Sequence, residues 1–212
     1  MSYVKEANSL RAQNIIKNLE KRNMEGYFCQ SSQELLNLIL PMFADGSKIA
    51  WGGSATIEQC GLLDVLKNSG KYEMIDRSLA KNPDEARAFF AQAVMSDYYL
   101  MSSNAITSDG QLINIDGNGN RVACLIQGPK QVFLIVGMNK IVQDVDSGIQ
   151  RVRNIATPPN TIRLSKKTPC AQTGKCEDCL SPDCICNQIV VTRRSGHVGR
   201  IKVFLVNEDL GF

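Results

Sequence analysis

Apolar residues recur along this chain in short blocks of two kinds. One kind has helical spacing. Leu10, Ile15, Ile16 and Leu19, with charges between them, predict an amphipathic helix over Val4–Arg22. Ser31 opens a second helix, with Glu34 three residues on in the capping-box position, and that helix ends near Pro41. Further helices are expected over Ser54–Lys67, over Pro83–Met95 with Asn82 as cap, over Arg121–Gln127 and over Asp144–Ile155. The other kind is a compact apolar run. Gly26–Gln30, Lys48–Trp51, Tyr72–Asp76, Tyr98–Met101, Gln111–Ile115 and Val132–Val136 read as strands, several of them after turns such as Asp45-Gly46 and Asp109-Gly110. Strands spaced by helices predict an α/β fold with a mixed, largely parallel sheet flanked by helices. Pro158 and Pro159 are expected to close this alternating region. Beyond it, Ile189–Thr192 and Ile201–Val206 read as a C-terminal strand pair within residues 188–207, a hairpin or two adjacent strands added to the main sheet.

Composition narrows the class without naming a function. The chain has 212 residues, 43% of them hydrophobic and 21% charged, with a formal net charge of +3. A chain of this size buries roughly 70% of the surface its unfolded form exposes, so a core needs no covalent staples. The reading is one domain over residues 1–212. The small, dispersed charge argues against nucleic acid as a partner, and no apolar run is long enough for a membrane span. The first 22 residues lack the apolar core of a signal peptide, so the expected location is cytoplasmic, with reduced thiols.

Three loops are candidates for a small anionic ligand. Gly52, Gly53, Ser54 and Thr56 follow a strand and open a helix, where glycines admit close approach and free N–H groups point outward. A tight turn with Ser54 as an ordinary N-cap is the bland alternative. The second loop belongs to a stretch dense in carboxamides, Ser102–Arg121. It offers Asn104, Asn114, Asp116, Asn120 and Arg121, with Asn114 and Asp116 on one face of a strand. Arg121 is suited to bidentate pairing with a carboxylate or phosphate; a salt bridge to Asp116 and asparagines used as turn formers are the alternatives. The third loop, with Gly137, Asn139 and Lys140, follows the strand Val132–Val136. In a parallel sheet it would share the ligand edge with Gly52–Ser54, making Lys140 a charge partner rather than a solvated lysine. No nucleophile-plus-base pair is legible, and the single histidine, His197, falls in a turn among arginines.

Five of the eight cysteines lie between Cys170 and Cys186, spaced C-x5-C-x2-C-x4-C-x-C within a loop spanning 168–187. A loop of this kind reads as an insertion in which four thiolates converge on zinc or an iron–sulfur cluster. Disulfides are the alternative, although cysteines one or two residues apart pair poorly. Cys29, Cys60 and Cys124 sit in apolar or helical contexts and read as buried small residues.

Taken together these residues resemble the lactate-utilisation (LUD) family. The motifs that carry the likeness are Gly52-Gly53-Ser54, Asn104–Thr107, Asp109-Gly110, Asn114–Gly117, Gly119–Val122, Gly128–Lys130, Gly137 and Asn139–Ile141. It continues through Pro169-Cys170, Thr173-Gly174, Cys176, Cys179, Ser181-Pro182, Ile185–Asn187 and the ending Leu205–Phe212. The resemblance covers nearly the whole chain. It implies a fold similar to ribose-phosphate isomerases and coenzyme A transferases, a part in oxidising L-lactate to pyruvate, and iron–sulfur partner subunits. It also implies that Cys170, Cys176, Cys179 and Cys186 are the metal-binding set, with Cys184 a spare thiol. Ser102-Ser103-Asn104 stands where the isomerases carry Gly-Ala-Asp, and an asparagine cannot act as their general acid or base. The alternatives are a transferase or isomerase with a structural zinc site, and a ligand-binding subunit without catalysis. A homo-oligomer is compatible with all of them.

Overall fold

The computed structural model describes residues 2–212. Helix α1 (Tyr3–Lys21) leads into strand β1 (Glu25–Cys29), and α2 (Ser32–Ile39) into β2 (Lys48–Trp51). Two short helices, α3 (Ala55–Gln59) and α4 (Leu62–Ser69), precede β3 (Glu73–Ile75); α5 (Pro83–Val94) precedes β4 (Tyr98–Met101). Strands β5 (Ala105–Thr107) and β6 (Leu112–Asp116) then branch off before α6 (Asn120–Ile126) and β7 (Gln131–Gly137). The remainder runs β8 (Ile141–Val142), α7 (Val145–Arg151), a π-helical turn (Val152–Ala156), α8 (Thr157–Arg163), α9 (Pro169–Thr173), β9 (Gln188–Thr192) and β10 (Ile201–Val206).

The predicted α/β architecture is present. Six parallel strands form the main sheet in the order β1-β10-β7-β4-β2-β3. Its central strands are apolar on both faces because helices cover both. Along β7, Val132, Leu134 and Val136 pack with Ala12, Ile15 and Leu19 of α1 and with Phe89 of α5. The alternate residues Phe133 and Ile135 pack with Leu35 and Ile39 of α2 and with Leu62 and Leu66 of α4. A smaller sheet, β8-β5-β6-β9, lies beside it and packs Ala105, Ile113 and Ile115 against Val152 and Ala156. Among the described residues no helix is long and apolar enough to cross a membrane.

Local signals read from the sequence act as expected at several helix starts. The Glu34 amide donates to Ser31 Oγ and the Glu34 carboxylate accepts from the Gln30 amide, while Asn82 Oδ1 accepts from the Glu85 amide. Cys29, Cys60 and Cys124 are buried, and burial pushes Cys29 and Cys124 up to about 11.

Three expectations are corrected. The C-terminal strands are not a hairpin: β9 pairs antiparallel with β6, whereas β10 enters the main sheet between β1 and β7. Being apolar on both faces, β10 is stable only at the sheet centre. The helix expected over Ser54–Lys67 breaks at Gly61, whose φ of +75° is the left-handed conformation that glycine adopts without strain. The helix expected over Asp144–Ile155 does not stop there but runs through the π-helical turn directly into α8, which carries Pro158 and Pro159 near its start.

Candidate functional site

All three loops singled out in the sequence emerge at the C-terminal edge of the main sheet, after β2, β4 and β7. There they border a cleft of about 870 Å³. Trp51, Gly53, Ser54 and Thr56 form one wall; Ser102, Ser103 and Asn104 come from the end of β4, and Lys140 from the turn after β7. Asp116, Asn120 and Arg121 contribute from the smaller sheet and the start of α6. Lys67 and Arg77 lie at one side of the cleft's lining and Arg163 and Lys166 come from the α8 end. This is the edge where parallel α/β sheets offer their strand ends to ligands.

Arg121 organises the site from beneath. Its Nη1 donates to Asn114 Oδ1 at 2.6 Å and to the Ser102 carbonyl at 3.1 Å. Its Nη2 donates to Asn104 Oδ1 and to the Ile115 carbonyl, both at 2.9 Å. The remaining nitrogen, Nε, lies 3.3 Å from Asp116 Oδ2. Four N–H groups of the guanidinium are therefore hydrogen-bonded within the protein, and Nε pairs with the Asp116 carboxylate. Of the two sequence readings, the salt bridge to Asp116 is the arrangement present, and bidentate pairing with a ligand has no free donor. Burial pulls the Arg121 pKa down, and the Asp116 carboxylate counters it. Asp116 Oδ1 meanwhile accepts the amides of Asn118 and Gly119, closing the loop that leads into α6.

Two of the candidate glycines serve packing. A Cβ on Gly52 would meet the Arg121 stem and the Tyr99 hydroxyl at 3.1 Å, so this glycine makes room for the arginine. At Gly137 a Cβ would lie 2.7 Å from both the Glu208 carbonyl and the Leu210 amide, and against Asn139 Oδ1. Asn139 itself accepts the Leu210 amide and so holds the C-terminal segment rather than facing the cleft. We expect Gly137→Ala to cost about 1–3 kcal/mol by overpacking, because two of the three clashes are with backbone that cannot rotate away. Chemical denaturation would check it, and an unchanged midpoint would refute the packing role. Gly53 differs: nothing lies within 4 Å of its Cβ position. The backbone amides of Gly53, Ser54 and Ala55 have no partner among the described residues, and Ser54 makes no side-chain cap.

Lys140 is the unusual group. It is 4% exposed, and its Nζ reaches Thr56 Oγ1 at 2.7 Å and Ser102 Oγ at 3.1 Å. Thr56 in turn donates to the Leu210 carbonyl at 3.2 Å, and Gly211 covers the lysine from above. Among the described residues Lys140 takes part in no side-chain ion pair, and the charges acting on it are those of Arg151 and Arg121. Burial, reinforced by the Arg151 and Arg121 charges, lowers Lys140 to about 7. Arg151, which sequence reasoning missed, is also buried and bonds only main-chain oxygens, those of Asn139, Asn104 and Phe212. No sequence pattern distinguishes it from other helical arginines. Ser102 could have been found, since it directly follows a buried strand at the same edge. Asn104 uses its Oδ1 for Arg121 and for the Ile115 amide, leaving its Nδ2 on the cleft side without a protein partner. Asn114 is fully buried with its Nδ2 unpaired, and it lies behind Arg121 rather than in the cleft lining.

The cysteine loop borders the same cleft through Pro182, Asp183, Cys184 and Ile185. Its thiols are not assembled as a donor set. Cys170 is 6% exposed with its sulfur against the Thr168 and Thr161 hydroxyls, at 3.2 and 3.5 Å. Cys186 contacts Thr157, while Cys176 and Cys179 lie half-buried in the loop. Burial pushes Cys186 up to about 11, and the neighbouring Cys184 and Cys176 add to this. Among the described residues no three His, Cys, Asp or Glu side chains are grouped to hold a metal ion. As folded, Cys170, Cys176, Cys179 and Cys186 do not fit a four-thiolate centre, and all eight cysteines are free thiols.

Comparison with known proteins agrees with this architecture. The sequence profile of the LUD domain matches residues 12–206. A crystal structure of a DUF162 family protein from Deinococcus radiodurans superposes with a TM-score of 0.54 at 14% identity, over 95% of this chain and 98% of that one. At that identity the likeness concerns the fold. Among curated proteins, none matches this sequence.

Proposed function

The chain belongs to the LUD-domain family, and we propose that it is a lactate-utilisation-type protein whose cleft binds a small carboxylate or phosphorylated ligand over Lys140. The observation that carries this reading is the buried Lys140 amine, held by two hydroxyls and lacking any carboxylate partner. A buried cation without a counter-charge is costly, and an anionic ligand would remove that cost. The unpartnered amides of Gly53, Ser54 and Ala55 and the Asn104 Nδ2 would supply neutral donors to the same anion.

Cleft size favours more than a lone three-carbon acid. Its volume of about 870 Å³ falls in the upper part of the range for drug-sized ligands, roughly 300–1,000 Å³. Arg77, Arg163 and Lys166 around the cleft would suit a second anionic group, such as a phosphate, on the same or an adjoining molecule.

Calorimetric titration with L-lactate, pyruvate and a sugar phosphate tests the reading. An anion favours the charged lysine, so binding should take up protons near pH 7 and weaken as pH rises toward 9. The loss is expected to approach tenfold per pH unit above about 7. Failure of every anion to bind, or binding indifferent to pH over this range, would refute the proposal.

A further inference from the structure

We infer that Lys140 is a nucleophile that forms an imine with the carbonyl group of a 2-oxo acid held in the cleft. The inference rests on the anion-binding reading above and adds a covalent step to it.

The geometry sets Lys140 apart from the other cations of the site. Arg121 and Arg151 already provide positive charge that cannot be discharged, and both are tied to protein acceptors. A lysine placed beside them adds one property they lack, the ability to lose its proton. Two of its hydrogen-bond directions go to Thr56 Oγ1 and Ser102 Oγ, and the amine borders the cleft. Burial and the two guanidinium charges favour the neutral amine, which is the attacking form. Asn104 and the Gly53–Ala55 amides, which line the same cleft as Lys140, offer neutral donors suited to a carboxylate. A carbonyl carbon bonded directly to that carboxylate keeps both groups inside this cluster, which selects a 2-oxo acid among carbonyl compounds.

The step balances without an oxidant or reductant. The amine lone pair attacks the carbonyl carbon and forms a C–N bond, while the C=O π pair moves onto oxygen, which is protonated. The nitrogen gives up one proton, and the carbinolamine then loses its hydroxyl as water after a further protonation. The C=N bond that results remains protonated. In sum, one carbonyl, one neutral amine and one proton give one iminium and one water. Ser102 Oγ and Thr56 Oγ1, both in hydrogen-bond contact with Nζ, are placed to relay these protons. The iminium leaves positive charge where the ammonium was, so the carboxylate keeps its partner.

Reductive trapping tests the inference on the intact chain. The protein is incubated with pyruvate, glyoxylate or 2-oxobutyrate and sodium borohydride, and the adduct is located by peptide mass spectrometry. We expect at least one acid to modify the peptide containing Lys140, with a mass gain equal to that acid less one oxygen atom. Excess L-lactate should slow the modification, and Lys140→Arg, shown to be folded by circular dichroism, should abolish it. No adduct at Lys140 with any of the three acids would overturn the inference, as would labelling spread over surface lysines at a rate that L-lactate leaves unchanged. A parallel calorimetric titration with L-lactate, pyruvate and a sugar phosphate separates the two levels. Binding without trapping refutes the imine alone, and absence of both refutes the anion-binding reading as well.

Discussion

Replacing Arg121 with alanine is expected to lower the unfolding free energy by about 3–5 kcal/mol, the scale for removing one partner of a buried ion pair. The side chain is 13% exposed and its partner Asp116 9%, so solvent screening offers little relief. Truncation would remove the counter-charge of Asp116 and one donor each from Asn114 Oδ1, Asn104 Oδ1 and the carbonyls of Ser102 and Ile115. For a chain of this size the loss corresponds to roughly 6–20 °C in Tm. Arg121→Lys should recover only part of it, because an ammonium cannot reproduce a planar fork serving acceptors on two strands and a loop. Ligand binding should fall in both variants, since Ser102 and Asn104 border the cleft and take their positions from this guanidinium. Thermal and urea unfolding would check the expectation. A Tm within two degrees of the parent would show that the network is dispensable and return Arg121 to the role of ligand partner.

Lys140→Met is expected to act in the opposite direction on stability while removing anion binding. With its pKa lowered from 10.5 to about 7, Lys140 sheds in the folded state a proton that the unfolded chain keeps. Below about pH 7 the folded protein carries the full cost of the buried charge. That cost is relieved as pH rises from 7 toward 10.5, because there the unfolded state binds more protons. The slope approaches 1.4 kcal/mol per pH unit at most. Thiols work against it above about pH 9. Cys29, Cys124 and Cys186 are held up to about 11, so unfolding releases their protons first and stability falls. Between pH 7 and 9 the parent should therefore gain about 1–2 kcal/mol more than Lys140→Met does. At pH 6 the methionine variant should be more stable by roughly 1–3 kcal/mol. It strands little, since Thr56 keeps the Leu210 carbonyl and Ser102 keeps that of Ser103. Parallel pH profiles for the two proteins would show identical slopes if Lys140 were an ordinary charged lysine.

Local and periodic signals were legible from the chain alone. Ser31 with Glu34, Asn82 and Asp109-Gly110 act within a few residues of themselves, so nothing distant had to be known. The run Val132–Val136 announced a strand buried on both faces, and hence a parallel sheet with helices on each side. From that sheet it followed that Gly52–Ser54 and Lys140 would share one edge. The cysteine spacing announced a loop of its own. It did not determine where the thiols point, because Cys170 is drawn into the core by α9 while the others stay in the loop.

Charge partnership was legible only as an alternative, and it decides the site. In the sequence Arg121 stood as a ligand partner with a salt bridge to Asp116 as the alternative, and Asn104 and Asn114 stood beside it as further ligand candidates. Only the crossing of β6, the end of β4 and α6 turns the four into one closed network with the arginine as its donor. Lys140 was placed at the ligand edge by its position after a strand, but nothing in the sequence showed that it would be buried. Its burial comes from the segment Leu210–Gly211, some seventy residues away, folding back over Thr56. Likewise β10 reads as the last strand of a chain, yet it lies between β1 and β7, because placing two apolar faces at an edge would leave one in water. The sequence by itself determined the strands, helices, turns and the edge at which a ligand would meet the sheet, since these depend on short-range periodicity and backbone chemistry. Which polar groups are spent on one another, and which are left for a ligand, was decided by tertiary structure, because hydrogen bonding and desolvation depend on neighbours that the order of residues does not reveal.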